Sequence, residues 1–137
     1  MKKVSAFLAL FMLIAFSAAA QIFTPVKWST SLKMDADGTH GSVIMTAKMD
    51  AGWHIYAMDI DPNAGPTPLS IELTPKGAKL DGRIKASKNP ERHFDNNFEA
   101  ELAWWEGSVT FTQKFTATAE KFTIDGKIRY ASCNDEM

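Results

Sequence analysis

Val109-Thr110-Phe111-Thr112-Gln113-Lys114-Phe115-Thr116 decides the fold. Apolar side chains at Val109, Phe111 and Phe115 alternate with Thr110, Thr112, Lys114 and Thr116. A period of two marks a strand with one face on a core and the other in water. The same period runs through Val43, Met45, Ala47 and Met49 against Ser42, Ile44, Thr46 and Lys48. It returns in Leu69, Ile71 and Leu73 against Ser70, Glu72 and Thr74, and in Phe98, Ala100, Leu102 and Trp104 against Glu99 and Glu101. Ile128 and Tyr130 end the series.

Turn signals separate these runs: Asp37-Gly38, Ala51-Gly52, Lys76-Gly77, Asp81-Gly82, Glu106-Gly107 and Asp125-Gly126. Short strands punctuated at that spacing predict an all-β chain folded as a β-sandwich. No long 3.6-residue apolar stripe is present beyond the first 20 residues, so helix is expected to be minor. Residues 59–68, with three prolines and two aspartates, and the polar residues 89–97 read as irregular loops. Loops of this kind carry function more often than core does.

Residues 1–20 read as a cleaved secretory signal peptide. Lys2 and Lys3 form a basic start, an apolar stretch runs from Val4 to Phe16, and Ala18-Ala19-Ala20 supplies the small residues that signal peptidase needs before Gln21. The apolar stretch is shorter than the roughly 20 residues of a membrane span. The two-lysine start has a bacterial look, so export to a periplasm or cell surface is expected. Removing 20 of 137 residues leaves 117, which is enough for one domain with a real core, here residues 21–137. Without Lys2 and Lys3, 13 basic residues face 16 acidic ones, a net charge of -3. Weak acidity with no Lys/Arg run argues against nucleic acid or an anionic membrane surface as partner.

His40, His54 and His93 lack metal-ligand spacing, and each reads as a surface or packing residue, so no metal site is expected. There is no glycine-rich phosphate loop, no specific hydrolase pattern and nothing that asks for a cofactor. In Gly52-Trp53-His54-Ile55-Tyr56, alternation puts Trp53 and Ile55 on one face and His54 and Tyr56 on the other. One face is expected to join the core. The other is covered by a loop or offered to a ligand or partner, and Trp104-Trp105 poses the same choice.

Cys133 is the single cysteine. It reads either as a small buried hydrophobe of a late strand or as a working thiol, and export weighs against the first because exported thiols oxidise and mispair. Its neighbours Asp135 and Glu136 oppose the thiolate by like-charge repulsion.

Taken together, Gly52 through Tyr56, Gly65-Pro66-Thr67-Pro68, Phe98, Trp104-Trp105-Glu106-Gly107, Val109-Thr110-Phe111, and Gly126 through Tyr130 to Cys133-Asn134-Asp135-Glu136 resemble the amino-terminal periplasmic domain of the DsbD protein-disulfide reductases, in its Bacteroidetes form. The resemblance covers nearly all of residues 21–137. It implies an immunoglobulin-like sandwich with a redox-active cysteine pair near the last strands. Such a domain passes reducing equivalents from a membrane-embedded donor to oxidised periplasmic thioredoxin-fold proteins.

By the same resemblance, Cys133 is the first cysteine of the pair. The second is expected a few residues on, past Met137, which makes this sequence a fragment of a longer reading frame. Such a fragment forms a mixed disulfide but cannot resolve it, so it is expected to act as a trap rather than a turnover catalyst. Transmembrane and thioredoxin-like electron-donor domains are the implied partners. Asp95-Asn96-Asn97-Phe98 resembles the family's cap loop, with Phe98 as the ring over the sulfurs and asparagines where some members have acids. His54 and Tyr56 resemble the rings beside the family's active site. The rival reading is an exported β-sandwich that binds sugars or a protein through exposed Trp53, Tyr56, Trp104 and Trp105, or else a purely structural sandwich in a larger surface protein.

Overall fold

The structure is a computed structural model, and it describes residues 24–134. The expected signal peptide, together with Asp135 and Glu136, lies outside the described residues. Among the described residues the chain forms ten strands and no helix, so none is available to cross a membrane.

The strands are β1 (Val26–Met34), β2 (His40–Met49), β3 (Trp53–Tyr56), β4 (Ser70–Lys76), β5 (Ala78–Ala86), β6 (Glu91–Asp95), β7 (Ala100–Glu106), β8 (Ser108–Ala117), β9 (Thr123–Arg129) and β10 (Ser132–Asn134). One four-stranded sheet has the order β1-β2-β8-β5 and a second the order β10-β3-β7-β6, while β4 and β9 form a two-stranded ribbon. Every pairing is antiparallel. The chain is the all-β sandwich that its alternation predicts.

The inward residues of β2 and β8 explain why the two large sheets stay together. Met45, Ala47, Val109 and Phe111 meet Ile55, Ala103 and Trp105 of the second sheet in one buried cluster. The Trp105 ring stands edge-on to Phe111 with centroids 5.2 Å apart, and Trp28 of β1 stacks on Phe111 at 6.0 Å. Burying a side chain of that size contributes roughly 1.5–3 kcal/mol. The Trp105 indole N–H still finds a partner, donating to the Lys88 carbonyl at 3.0 Å.

Gln113 is the polar exception on the inward face of β8, and its amide donates to the carbonyls of Asp81, Gly82 and Lys114 at 3.0, 3.2 and 2.8 Å. Those bonds pin an irregularity of β5 between Asp81 and Lys85. The extra residues of a bulge leave carbonyls without ladder partners, and a buried amide satisfies them.

Four local expectations are corrected. Asp81-Gly82 is not a turn between strands, because both residues lie within β5, at its irregularity. Residues 89–97 are not one loop, because β6 occupies Glu91–Asp95. This strand is exposed along four of its five residues, so it has no buried face to write an alternation and is held by backbone pairing with β7. Phe98 does not belong to the β7 alternation, because the chain reverses over residues 96–99. Asp125-Gly126 is not a turn, since Gly126 lies inside β9 opposite Leu73. A Cβ there would come within 3.0 Å of Leu73 Cδ2, so glycine makes room for leucine.

Candidate functional site

Cys133 comes to its place through β10, a three-residue edge strand that pairs with β3. The register sets Cys133 directly opposite His54, and across β3 it sets His54 opposite Glu106 and Tyr56 opposite Trp104. Residues opposite one another share a face, and so do residues two apart along a strand. Cys133, His54, Tyr56 and Trp104 therefore stand on the outer face of the second sheet. His93 and Asp95 of β6 join them through their pairing with Leu102 and Ala100. Ile55 and Trp105 occupy the opposite face, in the core.

The outer face is an aromatic cluster. Trp104 lies between two imidazoles, stacked on His54 at 4.8 Å and on His93 at 5.0 Å, and these come from the strands on either side of β7. Tyr56 meets His54 edge-on at 5.0 Å. His54 and Tyr56 are both buried, and Tyr56 is part of the same continuous buried cluster as Ile55 and Leu102. Residues 57–69 fold into the structure, with the Ala57 N–H donating to Ala103 O at 2.8 Å and Ile60 and Leu69 buried. Arg92 of β6 holds Asp59 of this loop in an ion pair.

The Cys133 thiol is half-buried and donates to the Asn134 carbonyl at 3.3 Å. Tyr56 is its neighbour on the same face, two residues along β3 from His54. Burial pushes the Tyr56 phenol well above its usual range, and its contact with Cys133 and the charge of Asp95 act in the same direction. The phenol, protonated at physiological pH even at its ordinary value of 10.0, is a donor beside the sulfur.

Asp95 closes the β6–β7 turn. Its Oδ1 accepts the backbone N–H groups of Asn97 at 2.8 Å and Phe98 at 3.1 Å, the short-range capture typical of an aspartate that opens a turn. Asn96 and Asn97 are exposed at the tip. Phe98 remains 41 % exposed, and its ring lies against Gly65 of the 57–69 loop. A Cβ on Gly65 would come within 2.6 Å of Phe98 Cε1, and Gly65 has φ +131°, a region that suits glycine.

The structure thus gathers Cys133, His54, Tyr56 and Asp95 on one face, with Phe98 in the turn that Asp95 sets. Sequence reasoning missed His93 and the place of Trp104 in the stack, which follows only from pairing register. It also missed Gly65 as the partner of Phe98. The rings proposed as a binding platform are largely occupied: Tyr56 and Trp105 are buried, and Trp104 is flanked by His54 and His93. Among the described residues, no group of three or more His, Cys, Asp or Glu side chains is placed to hold a metal ion.

The N-terminal family described as "Thiol:disulfide interchange protein DsbD, N-terminal" matches residues 23–137. Among solved structures, the chain is similar to the N-terminal periplasmic domain of ScsB from Proteus mirabilis, with a TM-score of 0.54 and 10 % sequence identity. That alignment covers 85 % of this chain and 45 % of the ScsB chain, so the protein spans less than half the length of its structural relative. No curated protein matches. The family match takes in the aromatic face, the turn before β7 and the strand that carries Cys133, and the chain belongs to the family of DsbD N-terminal domains.

Proposed function

We propose that this is an exported, periplasmic thiol–disulfide exchange domain that passes reducing equivalents from a membrane-embedded donor to oxidised thioredoxin-fold proteins through Cys133. The observation that carries the reading is the setting of the thiol: the single cysteine stands opposite His54 and beside the Tyr56 phenol, on an aromatic face bordered by an ordered turn.

In the exchange, the Cys133 thiolate attacks one sulfur of the partner's disulfide. A Cys133–sulfur bond forms as the partner's S–S bond breaks, and the other partner sulfur leaves as a thiolate and takes up a proton. A second thiol then attacks the Cys133 sulfur as a thiolate, forming a disulfide with it and expelling the partner sulfur as a thiolate that takes up a proton. Two electrons thus pass to the partner, and Cys133 and the second thiol end as the oxidised pair. The resolving thiol is not among these 137 residues, so they carry the first half of the reaction. Tyr56 donates its proton toward the sulfur while that atom carries negative charge. The Trp104 stack gives the site a rigid floor. Phe98 serves as a cap that restricts access to Cys133 until a partner displaces it.

The test is trapping. A thioredoxin-fold protein with its resolving cysteine replaced, activated as a mixed disulfide with a chromogenic thiol, is expected to form a reductant-sensitive adduct with the wild-type chain and none with Cys133→Ser. Failure of the folded wild-type chain to form that adduct would overturn the proposal.

A further inference from the structure

The outer face of the β1-β2-β8-β5 sheet carries a charge pattern that the sequence scatters. Cross-strand register puts Lys27 opposite Lys48, Lys33 and Lys114 on either side of Ser42, and Lys85 opposite Thr112, with Lys79 opposite Thr116. All six lysines are exposed, and the register places all six on the sheet face opposite to that of Met45, Ala47, Val109 and Phe111. The positions between them are mostly short hydroxyls, such as Thr46 and Thr110, whose Oγ atoms are 3.0 Å apart.

A sheet face turned to water needs polar side chains, but not of one sign. Asp81 is the carboxylate paired into this face, where it accepts the Thr116 hydroxyl at 2.5 Å and lies 4.0 Å from Lys79. Among the described residues, the other five lysines form no ion pair. Like charges directly opposite in neighbouring strands destabilise a sheet, and Lys27 and Lys48 are such a pair. The opposite outer face, which bears Cys133, carries Glu91, Asp95 and Glu106. A chain with a net charge of -1 is thus strongly polarised across the sandwich.

We propose that the lysine face docks on the headgroup surface of an anionic lipid bilayer, holding the Cys133 face toward the solution. This reverses the expectation drawn from the lack of a Lys/Arg run, because pairing register gathers on one face lysines that lie far apart in sequence. The composition of the face selects this occupant. Protein interfaces are enriched in aromatic residues, Met and Arg and depleted in Lys, whereas this face is lysine and hydroxyl without aromatic anchors. A laterally fluid layer of phosphates needs spread positive charge rather than shape complementarity, and each lysine near it strengthens binding by roughly five-fold. The acidic face is repelled by the same surface, which fixes the orientation.

Co-sedimentation of residues 21–137 tests this with vesicles of phosphatidylcholine containing about 30 % phosphatidylglycerol, against phosphatidylcholine alone. Two variants with equal loss of charge are compared: K27Q/K33Q/K48Q/K114Q on the face, and K76Q/K88Q/K121Q/K127Q away from it. The face variant is expected to lose about a hundred-fold or more in binding to anionic vesicles, and the other only a few-fold. Binding of the wild type should weaken as salt rises from about 0.05 to about 0.5 M. Labelling of Cys133 by a water-soluble maleimide should be no slower on the vesicles. Equal losses in the two variants, no wild-type preference for anionic vesicles, or protection of Cys133 would each overturn the proposal. Binding to polyglutamate but not to vesicles would overturn it as well, by assigning the face to an acidic protein.

Discussion

The ring of Phe98 occupies the space into which a side chain at Gly65 would project. Two segments distant in sequence, the turn before β7 and the proline-rich loop after β3, are thereby fitted to each other at the edge of the face that carries Cys133. The turn is tied from within by Asp95, so the contact joins two ordered elements.

Gly65→Ala is expected to push Phe98 from this position and speed alkylation of Cys133 by iodoacetamide several-fold, with Phe98→Ala giving a similar gain. The Gly65 substitution should also cost about 1 kcal/mol of stability because of its positive φ. If the two changes act through the same contact, the double variant will be no faster than the faster single one. An unchanged alkylation rate in Phe98→Ala would remove the cap from the mechanism.

Glu99 holds φ 53° at the end of the same turn, a left-handed conformation that costs a non-glycine residue. Glu99→Gly should raise stability by about 0.5–1 kcal/mol, since the relief of strain exceeds the added freedom of the unfolded chain. A thermal melt reads this directly, and a lower midpoint would show that the Glu99 side chain contributes more than its backbone costs.

Tyr56 supplies a pH signature. Its pKa in the folded state lies above the 10.0 of an unperturbed phenol, because burial disfavours the phenolate. The folded state therefore holds the proton more tightly than the unfolded state. The contribution is fully present below pH 10 and is lost as pH rises above it. In denaturant titrations, wild type should lose stability above pH 10 more steeply than Tyr56→Phe. Parallel curves would contradict the burial of this hydroxyl.

At the β1–β2 turn, Asp37 accepts the backbone N–H groups of His40 and Thr39 and the His40 ring at 2.6 Å. The His40 N–H, the Thr39 N–H and the ring together lower the Asp37 pKa to about 2, and Asp37 raises that of His40 above 6.5. The Asp37 contribution is present above 3.8 and lost as pH falls toward 2. The His40 contribution is present below 6.5 and lost as pH rises through its raised value. NMR titration of the His40 ring should show that raised value in wild type and a return toward 6.5 in Asp37→Asn. Both groups are exposed, so salt should shrink the difference.

The sequence by itself determined the strand character of β2, β7 and β8 and the sandwich class, because an apolar period of two is a local property of residues such as Val109, Phe111 and Phe115. It also marked Cys133 and, by family resemblance, Phe98, His54 and Tyr56. It did not show β6, an exposed edge strand held by backbone pairing, nor that Phe98 lies in a turn and Gly126 within a strand. Only the tertiary structure set Cys133 opposite His54, placed Trp104 between His54 and His93, fitted Phe98 to Gly65 and drew six lysines onto one face. Each of these depends on register between segments far apart in the chain. A shift of one residue in pairing turns every side chain of a strand to the other face, so the site and the charged surface exist only once the pairing is fixed.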